Sequence, residues 1–103
     1  MYHVTIELVI KSFRDKATAA IFSGVIPKGV PADVAKRARA KLVMIDAAHA
    51  LDDLRIPPAN HLEKLGGDRL GQHSIRVNLQ WRICFTWRDG ATENVEFCDY
   101  HKG

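Results

Sequence analysis

Four side chains of this sequence have the types and placement to act together on a phosphodiester: Arg76, Arg82, Tyr100 and His101. Cleavage of RNA by its own 2′-hydroxyl needs a base for the hydroxyl proton, cations for the crowded phosphate and an acid for the leaving 5′-oxygen. Two arginines facing each other across strands suit the phosphate, because the guanidinium fork matches its oxygens. An aromatic such as Tyr100 can stack a base, and the 2′-hydroxyl marks the substrate as RNA. His101 has a pKa within reach of neutral-pH proton transfer. The plainer reading of the same residues is a solvated face whose arginines are bridged by Glu96, followed by a soluble chain end.

For those residues to meet, the C-terminal half must be sheet. Trp81 to Trp87 alternates, with Trp81, Ile83, Phe85 and Trp87 against Arg82, Cys84 and Thr86. Ser74 to Asn78 and Glu93 to Asp99 give its neighbours, and His61 to Leu65 gives a short further strand. Three-residue turns at Asn78-Leu79-Gln80 and Asp89-Gly90-Ala91 pair Arg76 with Arg82, Ile75 with Ile83, Phe85 with Val95 and Ile83 with Phe97. A two-residue turn at either place would set arginines against apolar partners, since a one-residue slip flips a strand's faces. The sheet then has a dry face and a basic face carrying Arg76, Arg82, Cys84 and Glu96.

The N-terminal half supplies the cover. Tyr2 to Ile10 reads as a strand. Arg14 to Ser23 reads as a short helix with Ser12 as N-cap and Gly24 as its stop; Ala17, Ala20, Ile21 and Phe22 form its inner face. From Pro31 to about Ala50 the period is clearest, with Val34, Ala38, Leu42, Ile45 and His49 on one face. Leu51 to Ile56 adds a short turn before Pro57-Pro58.

Length and composition agree with one α+β domain. The chain has 103 residues, 47% of them hydrophobic and 26% charged, which excludes a disordered or collagen-like chain. No apolar run approaches the roughly 20 residues of a membrane span, and the N-terminus lacks a secretory signal layout. Two cysteines, Cys84 and Cys98, are too few for a disulfide scaffold and lack zinc spacing, so a cytoplasmic setting is expected. They read as small core fillers sooner than as a redox pair. The net charge of +3 permits a polyanionic partner without requiring one. His61 and His73 have no metal-ligand spacing, Gly66, Gly67 and Gly71 make no phosphate loop, and the Lys36 to Lys41 cluster reads as a solvated helix face, its functional version being phosphate contact on a folded RNA. Trp81 and Trp87 read as core.

The segments Ile10-Lys11-Ser12-Phe13, Gly67-Asp68-Arg69-Leu70-Gly71-Gln72-His73-Ser74-Ile75-Arg76-Val77-Asn78, Gln80-Trp81-Arg82-Ile83-Cys84-Phe85 and Asp99-Tyr100-His101 together resemble HigB toxins of the RelE/ParE superfamily. The likeness runs in order over residues 9 to 101. It implies a RelE-like, microbial-RNase-type fold: an N-terminal strand, two helices, then an antiparallel sheet with helices on one face. It also implies a toxin of a type II toxin–antitoxin system, a ribosome-dependent mRNA interferase that cuts translated mRNA in the A site without metal or cofactor. The implied partners are the ribosome and mRNA, and a helix-turn-helix antitoxin of the HigA type that links the toxin to operator DNA.

Carried over by motif, the resemblance implies a catalytic set of Arg82, Asp99, Tyr100 and His101. Arg82 would hold the phosphate, His101 would move the proton and Tyr100 would orient or stack the substrate. Arg76, Lys64, His61 and Arg69 are the expected RNA contacts. The sequence departs from the family where a His and a Lys precede the third strand: Glu63 and Gly66 stand there, with Lys64 and His61 nearby. A weaker nuclease, a ParE-like toxin acting on DNA gyrase and a non-catalytic antitoxin-binding partner are the alternatives this leaves. Val9 stands where family chains begin with Met, so residues 1–8 are expected to be an extension of a single domain over 1–103.

Overall fold

The computed structural model describes residues 9–99; the expected strand over residues 2–8, and Tyr100 and His101, lie outside them. Two helices, α1 (Lys16–Phe22) and α2 (Ala32–Ala47), precede four strands: β1 (Glu63–Lys64), β2 (Gln72–Arg76), β3 (Trp81–Arg88) and β4 (Ala91–Asp99). The strands form one antiparallel sheet in the order β1-β2-β3-β4. Short 3-10 turns at Leu51–Arg55, Pro58–Asn60 and Gly67–Arg69 join helix to sheet and β1 to β2.

The N-terminal segment borders β4 in parallel. Ile10 bridges Thr92 and Phe13 bridges Val95. Lys11 N–H donates to the Thr92 carbonyl at 2.8 Å and Arg14 N–H to the Val95 carbonyl at 2.9 Å. That pairing satisfies backbone groups which an open edge would leave to water.

α1 starts later than the sequence suggests. Asp15, rather than Ser12, is the N-cap, accepting from Thr18 N–H at 2.8 Å and from Thr18 Oγ1 at 2.6 Å. Ser12 Oγ instead accepts from Asn94 N–H at 2.9 Å. The inner face is Thr18 and Ile21, while Ala17 is exposed. Thr18 is fully buried because its hydroxyl both donates to Asp15 and accepts from Phe97 N–H at 2.9 Å, joining helix to β4. Gly24, at φ +95°, turns the chain out of the helix.

α2 buries Val34, Ala35, Ala38, Leu42 and Ile45 against the sheet. The larger of these meet Ile75, Ile83, Phe85 and Val95, all fully buried, in one core. Each buried Leu, Ile, Val or Phe contributes about 1.5–3 kcal/mol of transfer free energy. His49 does not join this face and is exposed. The helix ends at Ala47 because Asp53 Oδ2 accepts from His49 N–H at 2.9 Å and Ala50 N–H at 3.1 Å, starting the next turn.

The β2–β3 register is as expected, with Arg76 opposite Arg82 and Ile75 opposite Ile83. The β3–β4 turn is not. Arg88 pairs with Ala91 across a two-residue turn, in which Asp89 (φ 50°) and Gly90 (φ 78°) take the left-handed conformations such a tight turn demands. This would misalign the faces, but a bulge corrects it. Between Thr86–Glu93 and Cys84–Glu96 two residues of β4, Asn94 and Val95, oppose Phe85 alone. Asn94 takes φ 54° there. Below the bulge Ile83 pairs with Phe97, as expected. Trp81 and Trp87 pack partly buried on the core, Trp81 stacked on Phe97 with ring centroids 4.3 Å apart.

Thr18→Val keeps the shape of the side chain but removes the hydroxyl that serves both Asp15 and Phe97. It lowers the urea midpoint by an amount equivalent to about 1–3 kcal/mol, with unchanged m-value. A second prediction concerns His73, which stacks on Phe85 and whose Nδ1 is buried with no partner among the described residues. Burial, then Lys64 and Arg55, hold its imidazole below the ordinary 6.5. The unfolded chain therefore binds the proton more readily, so stability falls as pH drops through about 6.5 toward the folded value. His73→Phe removes that part of the slope, measured by urea unfolding across this pH range.

Candidate functional site

The polar face of the sheet opens into a cleft of about 570 Å³. Arg82 on β3 and Ser74 on β2 line it, with Gln72, Cys84 and Cys98. The Gly67–Arg69 turn brings Arg69 and Asp68, the N-terminal segment brings Arg14, and the end of β4 brings Asp99. The residues that follow Asp99 in sequence are Tyr100 and His101.

Arg82 is not on an exposed face, as the strand pattern implied; it is only 3% exposed. Its Nε donates to Ser74 Oγ at 2.7 Å and a terminal nitrogen donates to the His61 carbonyl at 2.6 Å and the Ser74 carbonyl at 3.3 Å. The Glu63 carboxylate lies 3.8 Å away. A buried cation is tolerated only with such partners, and the hydrogen-bond acceptors among the described residues are neutral oxygens.

Glu96 does not bridge Arg76 to Arg82. It receives Arg69 at 3.0 Å and faces Arg14 at 3.7 Å. The hydrogen bond to Glu96 raises Arg69 above its ordinary value, so this guanidinium keeps its charge. Arg69 also donates to Gln72 Oε1 at 3.0 Å, which fixes its direction. Arg14 was not marked by the sequence pattern, because its approach depends on parallel pairing of the N-terminal segment with β4. Ser74 and Gln72 were passed over although the expected β2–β3 register already set them on the side of Arg76 and Arg82, because neither carries a charge.

Cys84 and Cys98 are free thiols on this face. Cys84 sits opposite Glu96 and Cys98 opposite Arg82, so the two thiols are diagonal neighbours. The Cys98 thiol donates to the Glu96 carbonyl at 3.5 Å, and its closeness pulls Cys84 below the ordinary thiol value, against burial and with help from Arg69 and Arg82. The same closeness of the two thiols, with burial, pushes Cys98 up. Among the described residues no three His, Cys, Asp or Glu side chains converge as metal ligands.

The expected site residues are therefore sorted into groups. Arg82, Arg69 and Asp99 share the cleft. Arg76 and His61 lie in a neighbouring groove with Arg37 and Lys41. Lys64 is exposed on β1 and lines neither. Tyr100 and His101 lie outside the described residues.

The two cleft arginines should respond differently to truncation. Arg82→Ala takes the donor from the buried Ser74 hydroxyl and carbonyl and from the part-buried His61 carbonyl, and lowers stability by about 1–3 kcal/mol for each buried polar group left without a partner. Arg69, whose side chain is one-third exposed, is held by a pair of surface character; Arg69→Gln costs less than about 1 kcal/mol. Urea titration of both variants checks the contrast and identifies Arg69 as the better probe of the cleft.

Comparison with known proteins gives the same family along almost the whole described chain. The HigB-like toxin family, RelE-like toxins of type II toxin–antitoxin systems, matches residues 11–101. The Toxin HigB-1 of Vibrio cholerae is 45% identical over 73 residues, 71% of this chain and 76% of that protein. The Endoribonuclease HigB of Proteus vulgaris is 36% identical over 93 residues, 90% of this chain and 100% of that protein. An uncharacterised protein of Haemophilus influenzae is 39% identical over 72 residues, 70% of each chain. With two helices laid on a four-stranded antiparallel sheet, and this match over both, the chain belongs to the HigB-like toxin family of type II toxin–antitoxin systems, whose toxins have an antitoxin as partner.

Proposed function

We propose that the chain is a ribosome-dependent endoribonuclease that cuts translated mRNA in the A site by attack of the RNA's own 2′-hydroxyl. The observation that carries this reading is the cleft's pair of held guanidinium groups, Arg82 and Arg69, beside the Asp99 that leads into Tyr100 and His101. The name of the Proteus vulgaris relative, spanned here over its whole length, supports it. Its setting would be the cytoplasm, where ribosomes are, and its inhibitor a helix-turn-helix antitoxin of the HigA type that carries it to operator DNA. No helix among the described residues is long and apolar enough to cross a membrane.

In this reading Arg82 and Arg69 stabilise the charge that builds on the phosphate as the 2′-oxygen bonds to phosphorus. Such donors act best when fixed beforehand, and Ser74, His61 and Glu96 fix them. The 2′-hydroxyl proton passes to solvent water as its oxygen bonds to phosphorus, the 5′-oxygen leaves with a proton supplied by His101, and Tyr100 orients or stacks the neighbouring base. Asp99 accepts from Gln80 Nε2 at 3.1 Å, a bond that holds the start of the C-terminal segment at the cleft.

The test is a map of mRNA 5′ ends in cells briefly expressing the chain, beside His101→Ala. The expected outcome is new ends inside translated codons with the native chain and none with the variant; loss of a proton-transfer group costs roughly 10²–10⁴-fold in rate. Growth arrest without new ends would overturn the nuclease reading and direct attention to gyrase. New ends that persist with His101→Ala would remove that residue from the site.

A further inference from the structure

Beside the cleft lies a second concavity, of about 880 Å³, between the flank of α2, the Pro58–Asn60 turn and the β2–β3 turn. Arg37 and Lys41 line it from α2, His61 and Arg76 from the other side, and Asn78 and Gln80 from its end. Among the described residues no carboxylate lines it. Neither Arg37, Lys41 nor Arg76 makes an ion pair among the described residues. This differs from the cleft, where Glu96 and Glu63 attend the arginines.

The cations are crowded by design of the fold. Lys41 is drawn inward to the side-chain oxygen of the fully buried Asn60, which itself donates to the Leu54 carbonyl at 3.1 Å. Burial, then Arg37, lowers Lys41 below its ordinary value. An anion in the groove would relieve that repulsion.

Groove and cleft meet at two hydrogen bonds. The His61 carbonyl, at the groove, accepts from Arg82 of the cleft at 2.6 Å. Gln80 of the groove donates to Asp99 of the cleft at 3.1 Å. A polyanion leaving the cleft at this border therefore enters a channel of positive charge with no acidic lining among the described residues. No Phe, Tyr or Trp among those residues lines the groove, so it offers no base-stacking platform there and is suited to the phosphates of a strand.

We infer that this groove is a second RNA-binding site, which takes the phosphodiester backbone of the strand on one side of the bond held in the cleft. The inference rests on the RNA reading of the cleft. It reassigns Arg76 and His61 from the cleft to the track beside it, and adds Arg37 and Lys41, one turn apart on α2, which meet Arg76 and His61 only once α2 is packed against the β2–β3 turn.

Fluorescence anisotropy with two single-stranded RNA probes tests it, a labelled dinucleotide that fills only the cleft and a longer labelled oligonucleotide. Arg37→Gln with Arg76→Gln is the main variant, since it leaves the Lys41–Asn60 hydrogen bond intact; its folding is checked by urea unfolding. The expected result is weaker binding of the long RNA, with the slope of log K against log salt reduced by about 0.7 for each phosphate that the variant no longer neutralises. Dinucleotide binding stays at the native level. Arg69→Gln weakens both probes. Unchanged affinity and salt slope for the long RNA in the double variant overturn the inference. So does unchanged RNA binding with loss of the cognate antitoxin, which makes the groove a protein-docking surface. If Arg69→Gln leaves both probes bound while the double variant releases the long one, the groove stands as an RNA-binding site, and the cleft reading fails together with the placing of the groove beside a bond held there.

Discussion

The buried guanidinium of Arg82 is the constraint on which the polar half of the molecule depends. It lies on the central strand pair, and its donors reach the Ser74 hydroxyl and carbonyl on β2 and the His61 carbonyl ahead of β1. It thus adds side-chain bonds to the β2–β3 ladder and ties the loop ahead of β1 to it. Its hydrogen-bond acceptors among the described residues are neutral oxygens, and Glu63 at 3.8 Å is nearly half-exposed and screened. These bonds hold the guanidinium in a fixed place. A purely structural role would be served as well by an apolar residue in the same volume. Retention of a cation that lines a cleft agrees with a site whose task is to meet an anion.

The opposite face is organised by volume rather than charge, and this was the legible part. The period of α2 and the alternation of β3 identify four α2 core residues and the inward face of the sheet from residue types alone. Val34, Ala38, Leu42, Ile45, Ile75, Ile83 and Phe85 are buried as expected. His49 fails because Asp53 captures its backbone N–H and ends the helix first. Ser12 fails as a cap for an equally specific reason: its hydroxyl is used by the bulged Asn94 on a distant strand. Local pattern shows what a residue can bond to, but not which competitor, far away in sequence, is nearer.

The β3–β4 hairpin shows how a right register can arise from a wrong turn. The hydrophobic alternation demands that Ile83 face Phe97, and the chain meets that demand with a two-residue turn plus an extra β4 residue at Asn94–Val95. Two local features of opposite offset satisfy the same constraint as one longer turn. The bulge also has a use. It frees the Asn94 amide for Ser12 while Val95 N–H donates to the Ser12 carbonyl, so the N-terminal segment docks there and carries Arg14 to the rim of the cleft. The site was legible as a set of residue types, because arginines on one face of a strand pair are visible in the period. Its division into cleft and groove was not, because that depends on where α2 and the Pro58–Asn60 turn lie against the sheet.

This division bears on the departure at Glu63 and Gly66. The resemblance implies a His and a Lys at those positions, a proton-transfer group and a cation supplied by the loop. Here Gly66 lines the cleft without a side chain, and Glu63 faces Arg82. No histidine lines the cleft among the described residues. The cleft has cations from elsewhere: Arg69, which Glu96 and Gln72 hold in place on the following turn, and Arg14 from the other side. Rigid guanidinium groups lower a barrier through stabilisation of developing charge and need no titration to do so. In the proposed reaction, then, the sheet and its turns supply electrostatics. Proton transfer falls to the residues beyond Asp99, so the two functions are separable by mutation in this chain to a degree that a loop carrying both would not allow.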